Sequence, residues 1–102
     1  MADFCKAAKK QDIAPGQGVV CELNGKSIAL FNVGGEFCAV TNVCPHKGGP
    51  LGEGDLEGTV VTCPWHAWQF DVKMGCNAEN PDEKIPQYKV KVVGDDVLVE
   101  IP

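Results

Sequence analysis

The sequence predicts an all-β fold, a small barrel or sandwich of short antiparallel strands. Three observations point there. Apolar residues recur every second position rather than at helical spacing through most of the chain. Twelve Gly and seven Pro in 102 residues set the turns close together, which keeps each element short. No long stretch carries a helical apolar stripe.

The elements follow in order. Ala7-Ala8-Lys9-Lys10 is expected as a short turn of helix, stopped by Pro15 and Gly16. Val19, Cys21 and Leu23 share one face of a strand. Asn24-Gly25 is a two-residue hairpin signal. Ser27 to Val33 returns, with Ile28 and Leu30 on one side and Ala29, Phe31 and Val33 on the other. Gly34-Gly35 turns the chain into a strand from Glu36 to Val43. Near the C-terminus Tyr88, Val90 and Val92 alternate with Lys89 and Lys91, Gly94-Asp95-Asp96 turns, and Val97 to Ile101 returns. Two hairpins are therefore predicted, 19–33 and 87–101. Between them the strand rhythm breaks at a Gly- and Pro-rich loop, Asn42 to Gly58, and a short loop, Cys63 to Trp68. Gly-dense loops inside a small β domain are where function tends to sit.

Composition narrows the function. The length suits one domain, 1–102, and neither a linker nor a repeat divides it. Nine Lys, no Arg and fourteen acids leave a net charge of −5, which argues against a nucleic-acid partner. The acid is concentrated after residue 51, where ten carboxylates face four Lys. That half is either a solvated surface or a docking face for a basic partner. No segment approaches the roughly 20 apolar residues of a membrane helix. The first residues do not read as a secretory signal, so a cytoplasmic protein with reduced thiols is expected. Its six Cys then read as metal ligands or buried thiols rather than disulfides. Cys5, Cys21 and Cys38 are expected inside, and Cys76, after Gly75, is the thiol expected at the surface.

The two loops hold the chemistry. The first reads Cys44-Pro45-His46-Lys47-Gly48-Gly49 and the second Cys63-Pro64-Trp65-His66-Ala67-Trp68. The chain has two His, and each lies within three residues of a Cys. Sixteen residues separate His46 from Cys63. Two thiolates and two imidazoles suit either a tetrahedral zinc ion or a two-iron cluster with mixed ligands. Zinc fingers usually pair Cys with Cys on one arm and His with His on the other. Here each loop offers one of each, so two equivalent loops can grip a two-iron core from both sides.

On these residues the chain resembles a Rieske-type [2Fe–2S] ferredoxin. The words Asn42-Val43-Cys44-Pro45-His46 and Cys63-Pro64-Trp65-His66 match the Rieske motif at all four ligand positions, and the likeness runs from about Gly18 to Ile101. The resemblance implies a Rieske (ISP-like) fold in three layers of antiparallel sheet, with a small cluster-binding subdomain at about 42–85. It implies that Cys44 and Cys63 bind one iron, and that His46 and His66 bind the other, nearer the solvent. Respiratory-complex members carry an extra Cys in each loop; here the matching positions are Gly49 and Trp65, and Ala67-Trp68 replaces their hydroxyl donor. Fewer hydrogen bonds to sulfur imply a reduction potential near the low end of the Rieske range, about −150 mV. Low-potential members of this kind resemble the ferredoxin component of bacterial ring-hydroxylating dioxygenase systems.

The expected function is one-electron transport from an NAD(P)H-dependent flavoprotein reductase to a terminal aromatic-ring-hydroxylating oxygenase. The chain is expected to be a monomer, with no membrane contact and no catalysis of its own, since both His are spent as ligands. His46 and His66 would form the electron exit. The partner would dock over 44–49 and 64–68, with Glu53, Asp55 and Glu57 setting its orientation. Gly48, Gly49, Gly52 and Gly54 would allow close backbone approach or simply make turns. Pro45 and Pro64 would stiffen the loops. Trp65, Trp68 and Phe70 would shield the cluster or simply pack. Two other readings compete: the small Rieske subunit of an NADH-dependent nitrite reductase-like enzyme, and a structural zinc module.

Overall fold

Period-two patterning buries a strand on one face when one sheet covers it, and on both when it lies between sheets. The computed structural model, which describes residues 3–23, 25–43, 50–64 and 68–101, shows the second case at its centre. Strand β3 (Lys26–Val33) pairs antiparallel with β2 (Gly18–Leu23) on one side and β4 (Glu36–Thr41) on the other. Ile28 and Leu30 point into one apolar cluster with Ile13, Ala39, Val97, Val99 and Ile101. Ala29 and Phe31 point into a second, with Val40, Leu51, Val61, Cys63, Phe70, Val72 and Ile85. The two faces of β3 are those read from the sequence.

Each cluster glues another sheet to this middle one. On the first side lies a three-stranded sheet in the order β1 (Asp3–Lys9), β11 (Asp96–Ile101), β10 (Val90–Val93). Val97, Val99 and Ile101 alternate inward from β11. On the second side lies a four-stranded sheet in sequence order, β5 (Asp55–Glu57), β6 (Val60–Thr62), β7 (Gln69–Asp71) and β8 (Cys76–Asn77). The middle sheet is completed by β9 (Gln87–Tyr88) against β4. The result is the all-β, three-layer arrangement expected. Burying Phe31 or Phe70 completely contributes about 1.5–3 kcal/mol each.

The turns follow their residues. Gly34 and Gly35 between β3 and β4 sit at φ +60° and +98°, conformations that glycine adopts without penalty and a two-residue hairpin requires.

Four expectations change. Ala7 to Lys9 is strand, and the helical turn falls later, as a 3-10 turn at Lys10–Asp12. Pairing of β1 with β11 overrides the local helix propensity of alanine and lysine. The hairpin predicted at 87–101 is shorter, because Gln87 and Tyr88 pair with β4 while Val90 to Val93 pair with β11. Val92 is consequently 42% exposed instead of packed with Tyr88 and Val90. The 42–58 segment is not loop throughout: it holds a 3-10 turn, Leu51–Glu53, and strand β5. Cys76 is 3% exposed, in β8 where it pairs with Asp71 of β7 and forms a bridge with Lys84.

Candidate metal centre

Both candidate loops rise from necks closed by backbone hydrogen bonds. The first neck begins where β4 ends. Val43 and Pro50 form an isolated antiparallel bridge across it. The Leu51 N–H donates to the Asn42 carbonyl at 2.8 Å. Leu51 is fully buried in the second cluster and anchors the returning limb. The 3-10 turn that follows lies against β2 and then enters β5. At Gly54 a side chain would run into the Thr62 carbonyl, so glycine there lets β5 pair with β6 at Asp55 and Thr62.

The second neck is the loop end of the β6–β7 hairpin. Thr62 pairs with Gln69, and the Cys63 N–H donates to the Trp68 carbonyl at 2.7 Å. Cys63 is 1% exposed and lies in the same cluster as Leu51, Val61 and Phe70, with Trp68 packed against it. The Trp68 and Phe70 rings are 6.4 Å apart, centroid to centroid, inclined at 30°. The two necks therefore share one apolar floor. Val43, 49% exposed, and Pro64, also exposed, stand at the outer rims.

Of the four sequence-predicted ligands, Cys63 is placed, as a shielded sulfur at the base of its loop. Cys44, His46 and His66 lie outside the described residues, as do Pro45, Gly48, Gly49, Trp65 and Ala67. The predicted docking acids Glu53, Asp55 and Glu57 are all exposed beside the first neck, while Leu56 between the last two turns inward. Gly52 and Gly54 both serve close backbone approach rather than turn geometry alone. A sulfur donor at the foot of its loop, shielded from water by apolar neighbours, fits an iron–sulfur group, whose properties depend on solvent exclusion around the ligating sulfur.

Sequence reasoning treated Asn42 as a flanking residue. The structure puts it at the centre of the first neck. It is 7% exposed, its Oδ1 accepts from the Gly52 N–H at 2.7 Å, and its Nδ2 donates to Ser27 Oγ at 3.0 Å. A polar residue closing a strand just before a Gly- and Pro-rich loop was the available signal, but the partners are remote in sequence.

The remaining thiols are structural in surroundings. Half-buried Cys21 donates from its Sγ to the Ala7 carbonyl at 3.6 Å, and burial raises its pKa. Burial likewise raises the Cys38 thiol; the carboxylates of Glu36 and Asp71 add to the rise and Lys73 opposes it. No disulfide joins Cys21, Cys38, Cys63 or Cys76. Among the described residues, no helix is long and apolar enough to cross a membrane.

Comparison with known proteins agrees with this geometry. The family model described as the Rieske [2Fe–2S] domain matches residues 3–96. The biphenyl dioxygenase ferredoxin subunit of Pseudomonas sp. (strain KKS102) is 35% identical over 99 residues, covering 95% of this chain and 91% of the relative. A solved complex of reduced oxygenase and oxidized ferredoxin in carbazole 1,9a-dioxygenase contains a chain that superposes with a TM-score of 0.86 at 31% identity, covering 94% of this chain and 91% of the other. A Mycobacterium tuberculosis structure assigned as an NADH-dependent nitrite reductase small subunit superposes with a TM-score of 0.89 at 25% identity, over 100% of this chain and 97% of its own. Layered β-sheets, a sulfur donor at the foot of one of two pinned loops, and a sequence match across nearly the whole length converge on one assignment: the chain belongs to the Rieske [2Fe–2S] domain family.

Proposed function

We propose that this protein is a soluble one-electron carrier of a ring-hydroxylating dioxygenase system. It takes electrons from an NAD(P)H-dependent flavoprotein reductase and delivers them to a terminal aromatic-ring-hydroxylating oxygenase. The observation that carries the reading is the match to a dioxygenase ferredoxin subunit over 91% of that relative's length. Cys44 and Cys63 would hold one iron, His46 and His66 the other. When bound, the cluster supplies a reversible one-electron couple. The reading places the cluster-binding subdomain at about 42–85 of a single domain, the span that includes both necks and the third sheet.

The chain's own residues do the rest. Leu51, Val61 and Phe70 keep water from the floor beneath Cys63. The paired necks hold the loop ends still, which limits rearrangement when charge changes. Exposed Val43 and Pro64, the residues that open the two loops, offer the partner an apolar contact. Glu53, Asp55 and Glu57 give it an acidic margin, which suits a partner with a basic rim. The protein would act in the cytoplasm as a monomer. Its midpoint potential is expected near the low end of the Rieske range, about −150 mV. A redox titration with a clearly positive midpoint contradicts that value.

The deciding experiment is reconstitution. Iron and acid-labile sulfide are measured, dithionite-reduced protein is examined by EPR, and reductase, oxygenase and this chain are combined with NADH and an aromatic substrate. Hydroxylated product that requires this chain supports the proposal. Holoprotein without iron or sulfide overturns it in favour of a zinc module. The nitrite reductase small-subunit reading is kept because of the fold match noted above; stable co-purification with a large subunit would favour it over the carrier.

A further inference from the structure

We propose that Asn42 is the positioning residue that sets the seat of the first ligand loop, and through it the geometry of the cluster. The inference rests on the reading above, in which Cys44 and His46 are ligands.

Every polar group of Asn42 is engaged. Its backbone N–H donates to the Ser27 carbonyl at 3.0 Å, and its own carbonyl accepts from Leu51 at 2.8 Å. Its Oδ1 accepts from the Gly52 N–H at 2.7 Å, and its Nδ2 donates to Ser27 Oγ at 3.0 Å. The orientation of the carboxamide follows from its partners: a backbone N–H can only donate, so Oδ1 must face Gly52. Asn42 thereby joins three pieces of chain. These are the limb leaving for Cys44, the limb returning at Leu51 and Gly52, and the start of strand β3 at Ser27.

The returning limb has no slack. A Cβ on Gly52 would lie 2.7 Å from Val20 Cγ2, 3.0 Å from the Val19 carbonyl and 3.1 Å from Asn42 Oδ1. The Gly52 amide is buried at that contact and has Asn42 as its partner. Without the carboxamide this N–H must move to find another acceptor or stay unpaired, and an unpaired buried donor is costly. Moving it moves the limb that carries Pro50 and the end of the ligand loop. Cys44, two positions after Asn42, would shift relative to Cys63, whose own neck is pinned separately.

The test compares holoprotein of wild type, Asn42→Ala, Asn42→Asp, Ser27→Ala and Val99→Ala. Val99 is fully buried in the opposite cluster and serves as a purely structural control. Reduced EPR spectra, midpoint potentials and bleaching rates with an iron chelator are recorded, together with Tm. Asn42→Ala is expected to broaden or shift the EPR g values and to bleach roughly tenfold faster. Asn42→Asp is expected to restore the wild-type g values, because a carboxylate still accepts from Gly52 and Ser27 can turn its hydroxyl to donate. Val99→Ala is expected to lower Tm and leave the spectrum alone. Asn42→Ala with wild-type spectrum and potential, or changes no larger than those of Val99→Ala, overturns the proposal. If Asn42→Ala does not fold, Ser27→Ala decides: a broadened signal supports the proposal and an unchanged one overturns it. A wild-type protein with no reduced Rieske signal sinks the cluster reading itself, an outcome distinct from a wild-type signal that Asn42 does not influence.

Discussion

The backbone N–H of Cys63 is bonded to the carbonyl of Trp68 at 2.7 Å, so the second loop is closed immediately above its buried sulfur. The thiol is held by the last rung of the β6–β7 hairpin, and its position depends on sheet geometry more than on the loop that follows it.

Cys63→Ser is therefore expected to keep the fold and lose the cluster. The change is nearly isosteric, and the closing hydrogen bond is made by backbone. Far-UV circular dichroism should match wild type, while visible absorption and the reduced EPR signal should disappear. A coloured, EPR-active Cys63→Ser protein would remove Cys63 from the ligand set. His66→Ala should lose the Rieske signal in the same assay.

Gly54→Ala should destabilise the protein by about 1–3 kcal/mol, because the added methyl meets the Thr62 carbonyl and backbone cannot swing aside as a side chain can. For a domain this size that is a fall in Tm of roughly 4–8 °C per kcal/mol. Thermal unfolding of the apoprotein measures it. An unchanged Tm would mean that β5 and β6 separate more easily than their pairing suggests.

Alkaline pH should weaken the fold through its half-buried thiols. The Cys21 and Cys38 pKa values are raised in the folded state, chiefly by desolvation. A raised thiol stays neutral when the unfolded chain has already released its proton. Its cost is therefore absent below the unfolded thiol pKa and grows as pH climbs above it, up to the folded value. Urea midpoints measured from neutral to strongly alkaline pH should fall, and the slope should lessen in the Cys21→Ala, Cys38→Ala double variant. Equal slopes in the two proteins would assign the loss to other groups.

Neutralising Glu53, Asp55 and Glu57 together should slow electron delivery to the oxygenase severalfold at low salt and little at high salt. Stopped-flow reduction of the partner across an ionic-strength series gives both numbers. Identical rates and salt slopes for wild type and the triple variant would move the docking face elsewhere on the molecule.

Much of the fold could be read because its rules are local. Alternation assigned both faces of β3, and Gly34-Gly35 marked its turn. The failures share a cause. Ala7 to Lys9 has helix formers by composition, yet β1 is a strand because β11, almost ninety positions away, offers it a partner. Gln87 and Val92 belong to one alternating run, but two different sheets claim its parts. Cys76 follows a turn glycine, yet it is buried where β8 pairs with Asp71 of β7 and bridges to Lys84.

The candidate centre divides in the same way. Candidate ligand type and spacing are carried by the chain itself, because donor chemistry belongs to a residue wherever it is placed: two Cys and two His, paired across sixteen intervening residues, narrowed the reading to a zinc ion or a mixed-ligand iron–sulfur cluster, and the resemblance of the motif to Rieske proteins favoured the second. Which groups hold those loops in place was decided by the tertiary structure. Asn42 reaches Ser27 and Gly52, and Leu51 meets Cys63 on one apolar floor, through contacts between segments far apart in sequence. Hydrogen bonds and apolar burial act through distances in space, and those distances exist only after the three sheets have packed.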